Sequence, residues 1–301
     1  MDVRIGILTP GTLDERARDA LAAAGDAGLD HVGSVDHVSF RGGDGVDSLV
    51  TVAAMAGLHP TLGLHTSVYL LTLRHPVVVA RQLSTVAHMA PGRLVFGVGI
   101  GGEDRHEVEV CGIDPRTRGR RMDEHLTVLR ALLTGEPVTF HGEFVSIDEA
   151  CIQPAPPLPI PIVVGGRSDA AARRAGRLGE GWVGVWNSAR RFADVMEIVG
   201  EEADRVGRGD VEWCHAQTVW CAFGPNRDAV RDRLATKMEH YYGLPFDSFE
   251  KYTPYGRPED VAEFLVPYVE AGAGTINAIA VAAHLDEAIE GVAALKELLV
   301  S

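Results

Sequence analysis

The sequence predicts an α/β protein, a (β/α)8 barrel of the TIM type with insertions after strands four and seven. Three observations point there. Eight short, β-branched apolar runs each end in glycine or a polar residue, the form of buried parallel strands. Helical patterns lie between them, and most strand starts fall about 30 residues apart, the length of one βα unit. The 301 residues accommodate eight such units and leave two longer stretches, about 102–159 and 224–274, as insertions at the strand C-terminal ends. The chain is read as one domain over 1–301. A doubly wound sheet is the competing arrangement; the count of eight and the closing helix favour the barrel.

The strand runs, in order, are Arg4 to Thr9, His31 to His37, Thr61 to Val68, Arg93 to Gly99, Pro161 to Gly166, Gly181 to Trp186, Ala216 to Ala222, and Thr275 to Val281. After the first, Thr12 and Glu15 have the spacing of a capping box for a helix over Thr12 to Ala27, and Gly28 stops it. Pro76 suits the first turn of a helix running to about Met89. Arg120 to Leu133 is helical, and a small hairpin follows about His141-Gly142. The Pro-rich stretch Pro154 to Pro161 leads into the fifth strand. Ser168 or Asp169 caps a helix from Ala170 to Leu178, which Gly179 ends. Glu287 to Leu299 closes the chain. The second insertion concentrates Tyr241, Tyr242, Phe246, Phe249, Tyr252 and Tyr255, with four of the six tyrosines of the protein. Such a cluster serves either to pack the insertion or a subunit interface, or to cover an apolar substrate.

Composition narrows the function classes. Hydrophobic residues are 46% and charged residues 23%, so the chain is globular rather than disordered. The net charge of −14 excludes a broad nucleic-acid-binding face but permits local basic pockets. No basic stretch followed by an apolar core opens the sequence, and no apolar run is long enough to span a membrane. Cys111, Cys151, Cys214 and Cys221 fit no zinc or redox spacing and read as reduced, mostly buried thiols of a cytoplasmic protein.

The chemistry-bearing motifs lie at strand ends. Gly97-Val98-Gly99-Ile100-Gly101-Gly102 satisfies G-x-G-x-x-G, but three strands precede it and no acid ends a strand about 20 residues on, so a dinucleotide fingerprint is disfavoured. Those glycines still let a planar or anionic ligand approach the backbone. Gly165-Gly166-Arg167-Ser168 ends a strand and opens a helix, which makes a phosphate cradle or a tight turn with a cap. Asp36-His37 ends strand two at the barrel mouth, where an imidazole can move a proton. His65 is placed in the core or behind the site. No H-x-H stands on strand one, and H-E-x-x-H and G-x-S-x-G are both absent, so no metal site and no serine nucleophile is expected.

These residues together resemble the bacterial luciferase-like flavin monooxygenases, particularly the branch that uses the deazaflavin coenzyme F420. The matching segments, in the family's order, are Gly28-Leu29-Asp30, Val35-Asp36-His37, Leu64 to Val68, Pro91 to Leu94 with Gly97 to Gly101, Pro161 to Gly166, and Gly179 to Trp182. The resemblance implies a non-prolyl cis peptide at Ser67-Val68, with Thr66, Ser67 and Val68 against the cofactor ring. It implies that Ile100 and Gly101 line the cofactor and that Gly165, Gly166, Arg167 and Ser168 hold its phosphate. Asp36 and His37 would sit by the reactive ring, with His37 the catalytic proton carrier. Arg167, and Arg105 or Arg41, would offset the charge of the anionic tail. It also implies a small organic substrate, a homodimer, and a separate enzyme to reduce the cofactor. FMN, with monooxygenation, is the alternative cofactor; a non-catalytic flavin-binding protein is the alternative of another class. The chain departs from the sugar-phosphate dehydrogenase branch at two places: Gly102, then Glu103, where that branch has an acid directly after the strand-four motif, and Arg41 where it has a Trp. Both weigh against sugar-phosphate oxidation.

Overall fold

The computed structural model describes residues 3–102 and 104–300. Eight parallel strands form the barrel. The first four are β1 (Arg4–Thr9), β2 (His31–Ser34), β3 (Gly63–Leu70) and β4 (Leu94–Gly99). After an antiparallel hairpin of β5 (Val138–His141) and β6 (Ser146–Ala150) come β7 (Ile162–Gly165), β8 (Gly181–Gly184) and β9 (Ala216–Phe223). Beyond the two-residue β10 (Tyr255–Gly256) lies β11 (Thr275–Ala280). Each barrel strand pairs with the next, and β11 returns to β1 with Arg4 opposite Thr275, which closes the ring. The expected barrel is therefore present, strand for strand.

The helices are α1 (Ala17–Asp26), α2 (Ser48–Leu58), α3 (Pro76–Met89), α4 (Arg105–Val110), α5 (Arg118–Leu132), α6 (Asp169–Leu178), α7 (Ala189–Arg205), α8 (Arg227–Tyr242), α9 (Pro258–Glu270) and α10 (Leu285–Val300). Pro76 opens α3, Ser168 caps α6 by accepting from the Ala171 amide, and Gly28 ends the α1 segment at φ +76°, a conformation that costs a side chain little only when it is absent. The start of α1 differs from expectation. Its first turn begins at Ala17, with no capping bond from Thr12. Asp14 accepts instead from the Arg16 amide, and this local turn takes the place of the capping box. Helix α2, which the sequence reading passed over, is capped by Asp47 through the Leu49 and Val50 amides.

The main core lies between the strands and the helices, where Leu64, Phe96, Val164, Trp182 and Val219 meet helix residues such as Leu83, Leu126 and Leu295. Of the four cysteines, expected to be mostly buried, only Cys221 is fully buried. The barrel interior is filled by polar side chains together with Val163, Val183 and Ala216. Arg4, His65, Ser67, Thr275 and Asn277 border a void of only about 10 Å³, at the threshold for one water. It is a packed centre and not a channel.

Each of the two long stretches holds a regular barrel helix plus added material. In the first, α5 packs between α3 and α6, and Glu124 on α5 holds the hairpin by accepting from the Glu143, Phe144 and Val145 amides. In the second, α9 packs on α7 and α10. The added material there is α8 and the chain up to β10, which pairs with the end of β9. Tyr242, Phe246 and Phe249 are buried with Phe40 and Trp220 in a second apolar cluster at the mouth. Packing of the insertion onto the barrel thus accounts for those three aromatics.

Candidate active site

The C-terminal mouth is built on β2, β3, β4, β7 and β8. Its floor is the bulge in β3, where the register on β4 shifts between Thr66 and Tyr69. The Ser67-Val68 peptide there is cis. Ser67 and Val68 are half-buried while Thr66 before them is buried, so the bulge exposes these two residues at the floor. Room for Val68 comes from β4: a Cβ on Gly99 would stand 2.5 Å from Val68 Cγ2, closer than real contacts allow. The second glycine of the G-x-G run is thus required by the close approach of two strands.

His37 lies beyond β2 in a loop that runs to α2. Its ring stacks on Phe40 with centroids 4.0 Å apart and faces Tyr241 of α8 at 6.0 Å. Its Nδ1 lies 3.1 and 3.2 Å from the two carboxylate oxygens of Glu107, on α4. Glu107 is 1% exposed and also accepts from the Val38 and Ser39 amides at 2.7 and 3.2 Å. Burial pushes the Glu107 carboxyl up, but the His37 contact and the two amides outweigh it and hold it below the usual carboxylate range.

Asp36, expected beside the reactive ring, has its carboxylate engaged within the protein. It is buried, and its carboxylate is taken up by the Ser48 and Leu70 amides and by both terminal nitrogens of Arg74. Arg74 also reaches Asp47 at 3.1 Å. Burial works against the Arg74 charge, yet Asp36 outweighs it and the guanidinium titrates above its usual range. Asp36 therefore pins the His37 loop to the end of β3, two residues beyond Val68. Thr66 is likewise a tie between strands: it is buried and donates from Oγ1 to the Gly97 carbonyl at 2.8 Å.

The cradle after β7 has its expected shape in part. Ser168 is engaged as the cap of α6, and the Gly166 carbonyl accepts from Trp182 Nε1 at 2.8 Å. Arg167 has no carboxylate partner among the described residues; its guanidinium lies 5.8 Å from the Trp186 ring centroid. Trp186, two residues past β8, has φ +51°, an uncommon backbone for a bulky residue, and its ring meets Tyr242 and Phe249 at 4.8 and 4.9 Å. The Ile100 and Gly101 carbonyls accept from Thr72 Oγ1 and Arg118 at 3.3 and 2.9 Å, with Gly101 at φ +69°. Arg105 is exposed and pairs with Glu109 at 2.7 Å. Glu103 lies outside the described residues. Among the described residues no three metal-ligating side chains converge, and no helix is long and apolar enough to cross a membrane.

Sequence reasoning missed Glu107, Phe40, Trp186 and Thr218. Glu107 had one signal, an acid in the first turn of a short helix after a mouth strand; nothing in the sequence paired it with His37, 70 positions earlier.

The chain is thus a parallel (β/α)8 barrel with a bulged third strand, a histidine at its mouth and a glycine-arginine turn after β7. The sequence pattern of the luciferase-like monooxygenases matches residues 4–300, and the chain belongs to that family. An uncharacterized protein of Mycobacterium tuberculosis is 38% identical over 138 residues, 46% of this chain and 47% of that one, so the match spans about half of that relative's length. An F420-dependent glucose-6-phosphate dehydrogenase of Nakamurella multipartita is 37% identical over 240 residues, 75% of this chain and 70% of that one. A solved F420-dependent secondary alcohol dehydrogenase, in complex with an F420-acetone adduct, has the same fold, with a TM-score of 0.88, 20% identity and 99% of each chain covered.

Proposed function

We propose that this protein is an F420-dependent oxidoreductase that passes a hydride between the deazaflavin and a small organic substrate. The observation that carries the reading is His37 at the mouth, held by Glu107 and Phe40 on a loop that Asp36 ties to the Leu70 amide at the end of the bulged strand β3. The residues fit the cofactor's two ends. Ser67 and Val68 give a flat group a backing, and Arg167, free of carboxylates among the described residues, gives an anionic arm its counter-charge. At a net charge of −14 such a local cation is needed, since screening leaves only charges within about 8 Å effective.

When bound, F420 supplies the two-electron redox chemistry. The chain's own part is positional and protic. His37 holds or takes the proton of the substrate hydroxyl, Glu107 and Phe40 fix the ring, and the aromatic cluster of α8 and Trp220 excludes water on that side. The named relative with the longer match supports the cofactor. The family match equally admits FMN and monooxygenation as the second reading.

Titration of the purified protein with F420 and with FMN, following ring fluorescence, separates the two. Micromolar binding of FMN with none of F420 would sink the first reading. Binding of F420 without turnover of any alcohol, aldehyde or enone tested would instead indicate a flavin-binding protein. His37→Ala should slow turnover far more than it weakens cofactor binding.

A further inference from the structure

We infer that Glu107 is a positioning residue for His37: it fixes the imidazole as the Nδ1–H tautomer, leaving Nε2 as the nitrogen that exchanges a proton with substrate. This rests on the proposed role of His37.

The argument starts from what the carboxylate already accepts. Glu107 Oε1 takes the Val38 amide at 2.7 Å and the Ser39 amide at 3.2 Å, while Oε2 lies 3.1 Å from His37 Nδ1. Both amides can only donate, and the balance of burial and donors holds this carboxyl in its ionised form. An ionised carboxylate has no proton to give, so Nδ1 must be the donor. In a neutral ring the lone pair then resides on Nε2, which has no hydrogen bond among the described residues. The Phe40 stack and the Tyr241 ring fix the plane of the imidazole, so the tautomer also sets the direction in which the lone pair points. A loop tie alone would need Oε1 only. The second oxygen, in a side chain 1% exposed, is spent on the histidine. The device is the carboxylate–imidazole pairing known from hydrolytic triads, reached here from a different fold and for a different reaction.

Glu107→Gln separates the two uses. Its carbonyl keeps accepting from the loop amides, but its NH₂ faces Nδ1 and demands an acceptor there, so the ring must carry its proton on Nε2. The experiment is two-bond ¹⁵N–¹H correlation on protein labelled at histidine, without cofactor, at about pH 8, above the ordinary imidazole range. The expected result is Nδ1–H for His37 in the wild type and Nε2–H in Glu107→Gln. F420 affinity should be unchanged, KM unchanged, and kcat lower by roughly a hundredfold or more. Glu107→Asp should retain the wild-type tautomer and recover part of kcat. An Nε2–H wild-type ring overturns the inference, and that spectrum decides even if Glu107→Gln does not fold. Full kcat in folded Glu107→Gln overturns it as well. Absence of F420 turnover in wild-type protein with the Nδ1–H tautomer removes the proposed function and leaves the positioning intact.

Discussion

Ser67 Oγ lies 2.8 Å from Thr218 Oγ1, a hydrogen bond across the barrel interior from β3 to β9. Thr218 Oγ1 lies 3.4 Å from Asn277 Nδ2, and Asn277 Oδ1 lies 2.7 Å from His31 Nε2. His31 donates to Asn277 Oδ1 and Asn277 donates to Thr218 Oγ1, while between Thr218 and Ser67 either hydroxyl can be the donor. The interior thus holds the floor hydroxyl in place through Thr218.

Thr218→Val tests that arrangement. It keeps the shape and removes the hydroxyl. We expect a stability loss of about 1 kcal/mol, the net contribution of one buried hydrogen bond, and several-fold weaker F420 binding because Ser67 is no longer oriented. Thermal denaturation and fluorescence titration read the two effects. Unchanged affinity would mean that the Ser67 hydroxyl does not contact the cofactor.

Gly99→Ala tests the floor from the other side. The new Cβ would stand 2.5 Å from Val68 Cγ2, and a β-branched side chain in a packed bulge has few places to go. We expect a loss of about 1–3 kcal/mol, typical of overpacking, together with weakened cofactor binding. An alanine variant that binds F420 as tightly as wild type would show that Val68 is not part of the ring support.

Arg74→Met should be among the most damaging changes at the mouth. The pair is enclosed, with side chains 17% and 0% exposed. Removing the guanidinium leaves a buried carboxylate facing two amides only, a change that costs about 3–5 kcal/mol. Asp36→Asn in the same chain should recover part of that loss, because the stranded charge is gone; urea denaturation of the single and double variants measures it. Turnover should remain low in the double variant, since the loop bearing His37 is no longer tied to β3.

Most of the fold was legible because the signals were local. Short β-branched runs fix strands, Pro76 and Ser168 fix helix starts, and Gly28 fixes an end, all within a few residues of the feature they specify. The errors were local competitions, as where Asp14 captured the turn expected of Thr12 and Glu15. Of the candidate site, the order of the strands pointed to His37 and Arg167, which follow β2 and β7, while Ser67 and Val68 inside β3 were named through the family resemblance alone. What a side chain does there was not legible. Asp36 adjoins His37 in sequence, yet it faces the core because Arg74, 38 positions on, claims it. Glu107 adjoins nothing relevant in sequence and reaches His37 only through the closure of the barrel.

The buried histidines set the acid limit of the fold. Burial lowers His31 to about 4, with Asn277 opposing, and lowers His65 well below the ordinary value; the two rings stack 3.9 Å apart in the barrel interior. Burial lowers His125 and His215 to about 4 as well. A histidine held neutral in the folded protein binds fewer protons than the same residue unfolded at every pH between about 4 and 6.5. Stability therefore rises with pH across that window, and acidification below 6.5 removes it progressively until the folded groups also titrate. At about 1.4 kcal/mol per pH unit for each such group, one histidine held at about 4 accounts for roughly 3 kcal/mol at the acid end. We expect the unfolding free energy, measured in urea, to be flat above pH 6.5 with respect to these residues and to fall steeply below it. His65→Phe, which keeps a flat ring against His31, should flatten that slope by about one proton. An unchanged slope would show that the His65 ring takes up its proton over the same pH range folded as unfolded, so that the centre of the barrel would carry a positive charge in acid.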